Sequence, residues 1–445
     1  MKINFKHIVR TAAMLSLVAL PMVACDEDSY EYESTGGSPS IRAIVAASNP
    51  DSLVTSAFTG TRLVVLGDNL RSIKKIIFND QQAVLNIALI TDNALYVSVP
   101  RSLPVVPTDQ IYFINCSGDT VPYPFTVDIA APVLASMACE YVRPGEVATI
   151  KGDYFLTYDN DPLTVTMPDG TPVSEIVSVE QQTLKFRVPE GCTEPGAITV
   201  KTKYGSTKSS KFWFNDNRGI MTNFNGEGGA STEENSLGKI PQGWNIAATY
   251  SDENGIDGQY CILTSELTEE GAGWNEALKL PFWAGSWNGD VYGTTGAGAP
   301  FCNFIDFTDF NNMAVKFELC IPKTSPWTGG GMMLLFANAE DCANDSWQNN
   351  TYIHTEAKGG KGYGRYWWRP WQDGGSYETG DEWVTVTCPI ADFKYDMDGA
   401  ACTRPLKAPE DFASFILWIN DGGVKGTFPC TPIFKIDNIR AVPYK

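Results

Sequence analysis

The chain has 445 residues, and its 33 Lys and Arg stand against 52 Asp and Glu, a formal charge of −19 at pH 7. That acidic balance argues against nucleic acid as a partner and suits a neutral ligand. The length is too great for one ordinary core and predicts two to four domains. Plentiful Gly, Pro, Thr and Val, with few 3.6-residue patterns, predict an all-β fold.

Lys2, Lys6 and Arg10 precede a short, mostly apolar run from Thr11 to Ala24. The run is too short to span a bilayer as a helix, and residues 1–24 have the form of a secretory signal. It ends in Met22-Val-Ala-Cys25, followed at once by Asp26-Glu-Asp28. Small Ala24 before Cys25 resembles the lipobox of bacterial lipoproteins, and the acidic triplet resembles the surface-export signal of Bacteroidota lipoproteins. The resemblance implies lipidation of Cys25 and an outer-membrane anchor facing the cell exterior. Cleavage there leaves 30 basic and 52 acidic residues, a charge of −22. Residues 25–39 are acidic, Ser/Gly-rich and aperiodic, which reads as a flexible tether.

Ten cysteines lie beyond Cys25. An exported setting permits disulfides. Yet no CxxC pair occurs, and several cysteines sit in apolar strand patterns, as Cys320 does in Val315-Lys-Phe-Glu-Leu-Cys-Ile321. Mostly buried thiols are expected, with one or two bridges in the C-terminal domain. His354 is the only histidine left after the signal. That excludes a multi-histidine zinc site, and without a Gly-x-Ser-x-Gly elbow a Ser-His-Asp system has no support.

An internal repeat follows. Gly60-Thr-Arg-Leu-Val-Val-Leu-Gly67-Asp-Asn-Leu70 is echoed by Gly145-Glu-Val-Ala-Thr-Ile-Lys-Gly152-Asp-Tyr-Phe155. Each unit later ends a strand in Val-Pro, at Val99-Pro100 and Val188-Pro189. Two immunoglobulin-like β-sandwiches are expected, over residues 40–129 and 130–216. The Gly-Asp-Asn-Leu turn and the following Ile76-Ile-Phe-Asn79 resemble IPT/TIG domains. Only Trp213 among the tryptophans falls in this half, so a spacer role is expected for it.

Residues 217–445 hold eleven of the twelve tryptophans. Strand-like runs at Met313–Ile321, Met332–Phe336, Trp383–Thr387 and Phe415–Ile419 alternate with Gly-rich loops, the pattern of a jelly-roll sandwich. The densest stretch is Lys361-Gly-Tyr-Gly-Arg-Tyr-Trp-Trp-Arg-Pro-Trp371. Read as a strand, it puts Tyr363, Arg365, Trp367, Arg369 and Trp371 on one face, and Tyr366 and Trp368 on the other. The arginines belong near water, so the first face is expected to be wet. Flat rings beside hydrogen-bond donors suit a sugar, with its apolar faces and rim of hydroxyls. Trp287, in a polar loop, and Trp327, in the turn Thr324–Gly331, join Trp367, Trp371 and Trp368 as candidate rings. Arg365, Arg369, Asn288 and Gln372 are candidate polar partners, whereas Trp383 and Trp418 sit in regular apolar strands and are expected to be core.

Asn223-Phe-Asn-Gly226, Arg365–Trp371, Glu382–Phe393 and Ile436-Asp-Asn-Ile439 resemble, in order, the C-terminal domain of surface glycan-binding proteins from Sus-like polysaccharide utilisation systems. The lipobox and the immunoglobulin-like repeats match the same layout. The resemblance implies a monomeric, non-catalytic lipoprotein that holds a neutral β-glucan such as xyloglucan beside an outer-membrane TonB-dependent importer. Two other readings stay open, an adhesive surface protein and a glycoside hydrolase built on a carboxylate pair. Carboxylates for the latter include Asp290, Glu318, Glu356, Asp373, Glu378, Glu382 and Asp437, but no Glu-x-Asp-x-Glu strand motif occurs. No cofactor is indicated. A structural calcium ion could draw oxygens from acidic loops such as Asp252-Glu-Asn-Gly-Ile-Asp257.

Overall fold

The computed structural model describes residues 36–226, 249–269, 276–282, 300–338, 361–420 and 426–444. The fold is all-β, and the helical turns among the described residues are short 3-10 segments. The chain divides into two compact units, at Ala130 and Ala131.

In the first unit a five-stranded sheet runs in the order Asn49–Leu53, Ser40–Ala46, Arg62–Asp68, Ala94–Ser98, Leu85–Ile90. A four-stranded sheet follows the order Thr120–Pro124, Gln110–Asn115, Ile73–Phe78, Gln81–Gln82. Alternate residues from both sheets, among them Leu63, Val65, Leu95, Ile76, Phe78, Ile111 and Phe113, are buried between them.

The second unit opens with another sandwich. One sheet has the order Val133–Met137, Val147–Asp153, Thr183–Arg187, Ile176–Glu180, and the other Thr164–Thr166, Thr199–Thr202, Gly205–Lys208. The sequence repeat now has a physical cause. A Cβ on Gly67 would fall on the carbonyl oxygen of Ser40, and one on Gly152 on that of Val133. Two residues later the chain turns left-handed, at Asn69 (φ 58°) and Tyr154 (φ 59°). The turn drops Leu70 and Phe155 into their cores. The first glycine of each repeat gives its N–H to the valine of the Val-Pro pair, Gly60 to Val99 and Gly145 to Val188, at 2.9 Å in both.

The C-terminal sandwich packs two antiparallel sheets. The larger follows the order Thr249–Tyr250, Tyr260–Thr264, Ile433–Pro443, Met313–Cys320, Val384–Pro389, with Ile220–Thr222 also paired to Ile433–Pro443. The smaller has the order Lys279–Phe282, Ser414–Asn420, Gly331–Ala337, Arg365–Trp368. All nine described cysteines are free. The bridges expected in this domain are therefore not found among them. Cys261, Cys320 and Cys388 are buried in strands, where they pack as small hydrophobes. Cys342 lies outside the described residues.

The larger sheet turns Met313, Val315, Phe317 and Leu319 inward and sends Lys316 and Glu318 to its other face. That face meets the preceding sandwich through charge. Glu140, 2% exposed, accepts from Lys316 Nζ at 2.5 Å and from Arg440 Nη2 at 2.8 Å. Arg440 grips Glu318 at 2.7 and 3.0 Å. Thr385 donates its hydroxyl to Glu318 (2.8 Å) and accepts the Glu140 N–H (2.7 Å). Burial disfavours the Arg440 charge, but Glu318 and Glu140 more than offset it, so the guanidinium is held more firmly protonated than usual. Burial pushes the Glu318 carboxyl up to about 7, against the pull of Arg440. Trp383 is half-buried at this same joint, edge-on to Tyr260 at 5.6 Å, and gives its Nε1–H to Asn254 O. It packs against the core of the preceding sandwich, so it is a joint residue and not the plain core ring expected.

Two substitutions test these anchors. Gly152→Ala forces a methyl against backbone that cannot yield, and should cost about 2–3 kcal/mol in a urea titration. Glu140→Gln leaves two buried cations sharing one carboxylate. It should cost about 3–5 kcal/mol, and adding Lys316→Met should recover part of the loss. Additive losses in that pair would contradict the network.

Candidate functional site

The strand Arg365–Trp368 alternates strictly, so its two faces can be told apart by what they touch. Tyr366 lies 5.8 Å from Phe393, and Trp368 lies 5.7 Å from Trp327, whose ring stands edge-on to Phe434 of the larger sheet at 5.1 Å. Tyr366 and Trp368 thus face the inter-sheet core. Arg365 and Trp367 face away from it, on the sheet's outward side.

Cross-strand register extends that outward side. Trp367 pairs with Met333, Met333 with Trp418, and Trp418 with Lys279. Directly paired residues share a face. A row Lys279–Trp418–Met333–Trp367 therefore crosses all four strands. A second row, Pro281–Ile416–Leu335–Arg365, lies beside it. The rings carry cations. The Arg369 guanidinium lies 4.6 Å over Trp367, and Lys279 Nζ lies 5.7 Å from the Trp418 ring.

The strand reading separated these faces, but the expected exposure is not found. Arg365 is 0% exposed, and its Nη1 donates to the carbonyls of Lys361 (2.8 Å) and Tyr363 (3.4 Å). Burial lowers its pKa to about 10. Trp367 is 9% exposed, with Nε1 donating to Asp396 O at 2.9 Å. Tyr363 is buried beneath Arg404, whose guanidinium lies 4.0 Å from the ring. Trp371 is buried on a 3-10 turn and donates to Gly330 O at 2.8 Å. Arg369 and Trp368 are half-buried, and Gln372 is exposed. The segment is more buried than its arginines suggested because main-chain carbonyls take over the donors that water would otherwise satisfy.

Trp327 is a plain correction. It is fully buried, and its Nε1 donates to Gly329 O at 2.6 Å. Its own N–H and C=O pair with Tyr377 at 2.9 and 2.8 Å, which folds the turn inward over the core. Trp287 and Asn288, together with His354, Cys25, Asp290 and Glu356, lie outside the described residues.

Met333, Lys279 and Trp418 were missed as members of one face. A signal for them existed in Ser414-Phe-Ile-Leu-Trp-Ile-Asn420. Phe415, Leu417 and Ile419 share one parity, while Trp418 shares the other with Ser414 and Asn420, and polar residues on that parity mark it as the face turned from the inter-sheet core.

Residues 214–443 match the model of the surface glycan-binding protein B xyloglucan binding domain. A solved surface glycan-binding protein B from Prevotella bryantii is 36% identical, covering 92% of this chain and 100% of its own, with a TM-score of 0.80. SGBP-B from a complex xyloglucan utilization locus in Bacteroides uniformis is 15% identical over 92% of this chain and 100% of its own, with a TM-score of 0.43. An IPT/TIG domain-containing protein of Bacteroides ovatus is 24% identical over 238 residues, 50% of this chain. The chain spans about half the length of that curated relative, 48%.

The buried position of Trp327 makes a stability prediction. Trp327→Ala should cost about 3–5 kcal/mol in a denaturant titration, as the loss of a large core ring does. A change under about 1 kcal/mol would return the ring to the surface.

Proposed function

The chain belongs to the surface glycan-binding protein B family, whose members bind glycan and are not enzymes, and we propose that it binds a neutral β-glucan, xyloglucan first, on the outward face of the smaller C-terminal sheet. The observation that carries this reading is the row Lys279–Trp418–Met333–Trp367. It sets two indoles on one face, each with a cation close to its ring. A pyranose ring has the apolar face to replace such a cation on the indole. The displaced guanidinium of Arg369 would then donate to the sugar's hydroxyls. Trp287 and Asn288 remain part of the proposed contact set, while Trp368, on the core side, and buried Trp371 hold the strand and turn in place. The xyloglucan preference rests on the description of the matching family model.

On this reading the protein is a monomer held at the outer membrane through lipidated Cys25, facing outward. It retains polysaccharide beside a TonB-dependent importer. Support comes from Met22–Cys25 and the acidic residues after it, together with the family. Many anchored copies on one chain of polysaccharide would raise modest single-site affinity through avidity.

The test is retardation of the soluble chain from Asp26 in native gels containing xyloglucan, mixed-linkage glucan or other neutral polysaccharides. Trp367→Leu, Trp418→Leu and Trp287→Ala are run alongside, with a thermal melt of each to confirm folding. Loss of a hot-spot ring costs about 2 kcal/mol, so folded Trp367 or Trp418 variants should bind more than about tenfold more weakly. Unchanged retardation of both folded variants would move the site elsewhere. No retardation on any glucan would overturn the substrate class.

A further inference from the structure

The joint between the two sandwiches of the second unit holds a second feature that glycan binding does not use. The last strand, Ile433–Pro443, bends at Asn438, which is left-handed (φ 48°). Just before the bend, Asp437 is 0% exposed. Its Oδ1 accepts the Asn438 N–H at 2.8 Å, while its Oδ2 is buried and receives no hydrogen bond. Its carboxyl lies against that of Asp257, in the loop that follows Asp252. Two carboxyl oxygens in contact need a proton or a cation between them.

The surroundings supply mostly oxygen. Asp257 is also in contact with the Asn225 side chain, and its Oδ2 accepts from Asn438 Nδ2 at 3.2 Å. Asn225 Oδ1 accepts the Gln259 N–H at 2.5 Å. Gln259 Oε1 is a further buried oxygen without a donor. Burial and the Asp257 charge, in that order, push the Asp437 carboxyl well above its usual range, and Glu318 adds to the effect. Burial likewise raises Asp257. Lys435 and Arg440 neighbour Asp437 along the strand, but Arg440 Nη1 and Nη2 are spent on Glu318, Glu140 and the Asn438 carbonyl.

Asp257 is the reachable member of the pair, while Asp437 is fully buried and does not itself line the neighbouring cavity. Asp257, Asn223, Asn438 and Asn217 line a cavity of about 400 Å³ with Tyr141 and Arg143 of the preceding sandwich. The loop is already clamped from that side, since Arg143 donates to the carbonyls of Ile256 (3.0 Å) and Gly255. Asp252 is used differently from what its sequence position suggested. It accepts from Tyr260 Oη at 3.2 and 3.1 Å and from Asn254 N at 2.8 Å. Among the described residues no three His, Cys, Asp or Glu side chains gather as metal ligands. The donors in view are two carboxylates with the Asn225 side-chain amide beside them, an oxygen set that suits calcium in its variable coordination better than magnesium in its strict octahedron.

We propose that Asp257, on the wall of this cavity, and Asp437, buried behind it, bind one Ca²⁺ ion between them, where it fastens the Asp252–Asp257 loop to the last strand and so to the sandwich joint. The ion would neutralise the facing carboxylates and serve a structural role on the side of the domain opposite the proposed glycan face.

The experiment uses the whole chain from Asp26, freed of metal by chelator and dialysed at pH 7. CaCl₂ or MgCl₂ is then titrated by calorimetry, and thermal melts are recorded with and without 5 mM salt. One Ca²⁺ should bind per chain, and saturation should raise Tm by about 5 °C or more, with a smaller rise in Mg²⁺. Asp437→Asn and Asp257→Asn should each abolish the calcium-dependent rise. In chelator, each variant should melt at or above the wild-type temperature, because a facing carboxylate is gone. This inversion separates loss of the ion from general damage to the fold. A wild-type Tm indifferent to calcium, or a rise that survives both substitutions, would overturn the proposal and leave a shared proton between the two carboxyls.

Discussion

The architecture of the second unit depends on four buried charges. Glu140 comes from one sandwich, and Lys316, Glu318 and Arg440 come from the other, with none more than 2% exposed. Removing such charges from water is costly, and the cost is offset only where each meets an opposite charge in good geometry. The condition holds because the set is neutral, two carboxylates against two cations, and Arg440 bridges both acids. A slide of one sandwich over the other would strand at least one charge without solvent. Two nonpolar surfaces in contact tolerate small slides, whereas this network specifies one arrangement.

That constraint decides what the C-terminal sandwich can offer a ligand. The outward face of its larger sheet is spent on Lys316, Glu318, Thr385 and Arg440. The outward side of the smaller sheet is not spent on that joint, although its row is itself covered, with Lys279, Trp418, Met333 and Trp367 each at most 9% exposed. There the chemistry is of another kind. In a protein of charge −19, the paired rows on this face carry Lys279 and Arg365, two indoles and no carboxylate. Cations over indoles and donors tied to main-chain carbonyls give a face that is apolar in its centre and donor-rich at its margin.

Some of this was legible in the residues. The repeated Gly-x₆-Gly-Asp pattern could be read because crossing backbone excludes a side chain at Gly67 and Gly152 and leaves each repeat the same glycine. The two faces of Arg365–Trp368 could be read because strand alternation is fixed by backbone geometry. Exposure could not be read. Burial of Arg365 depends on the carbonyls of Lys361 and Tyr363 turning toward it, and local sequence does not specify such a turn. Trp327 misled for a related reason. Its Pro, Thr and Gly neighbours signal a turn, and turns are usually exposed, but this one is stitched to Tyr377 and folded over the core. Trp418 is buried, as its apolar neighbours signal, but those neighbours do not tell that its pairing with Met333 sets it in the outward row.

Among the described residues, the buried candidate carboxylates are committed to the joint. Glycoside hydrolysis needs two carboxyl groups about 5 to 9 Å apart across the sugar that the rings hold. Glu318 is taken up by a bidentate pair with Arg440, deep in the joint. Asp437 sits on the same strand as Arg440 and faces Asp257. Both therefore belong to the sheet on the far side of the sandwich from Trp367 and Trp418, with a full hydrophobic layer between. Asp373, Glu378 and Glu382 are exposed. Among the described residues, the buried candidate acids and the paired rings Trp367 and Trp418 are thus divided between opposite sheets of the sandwich.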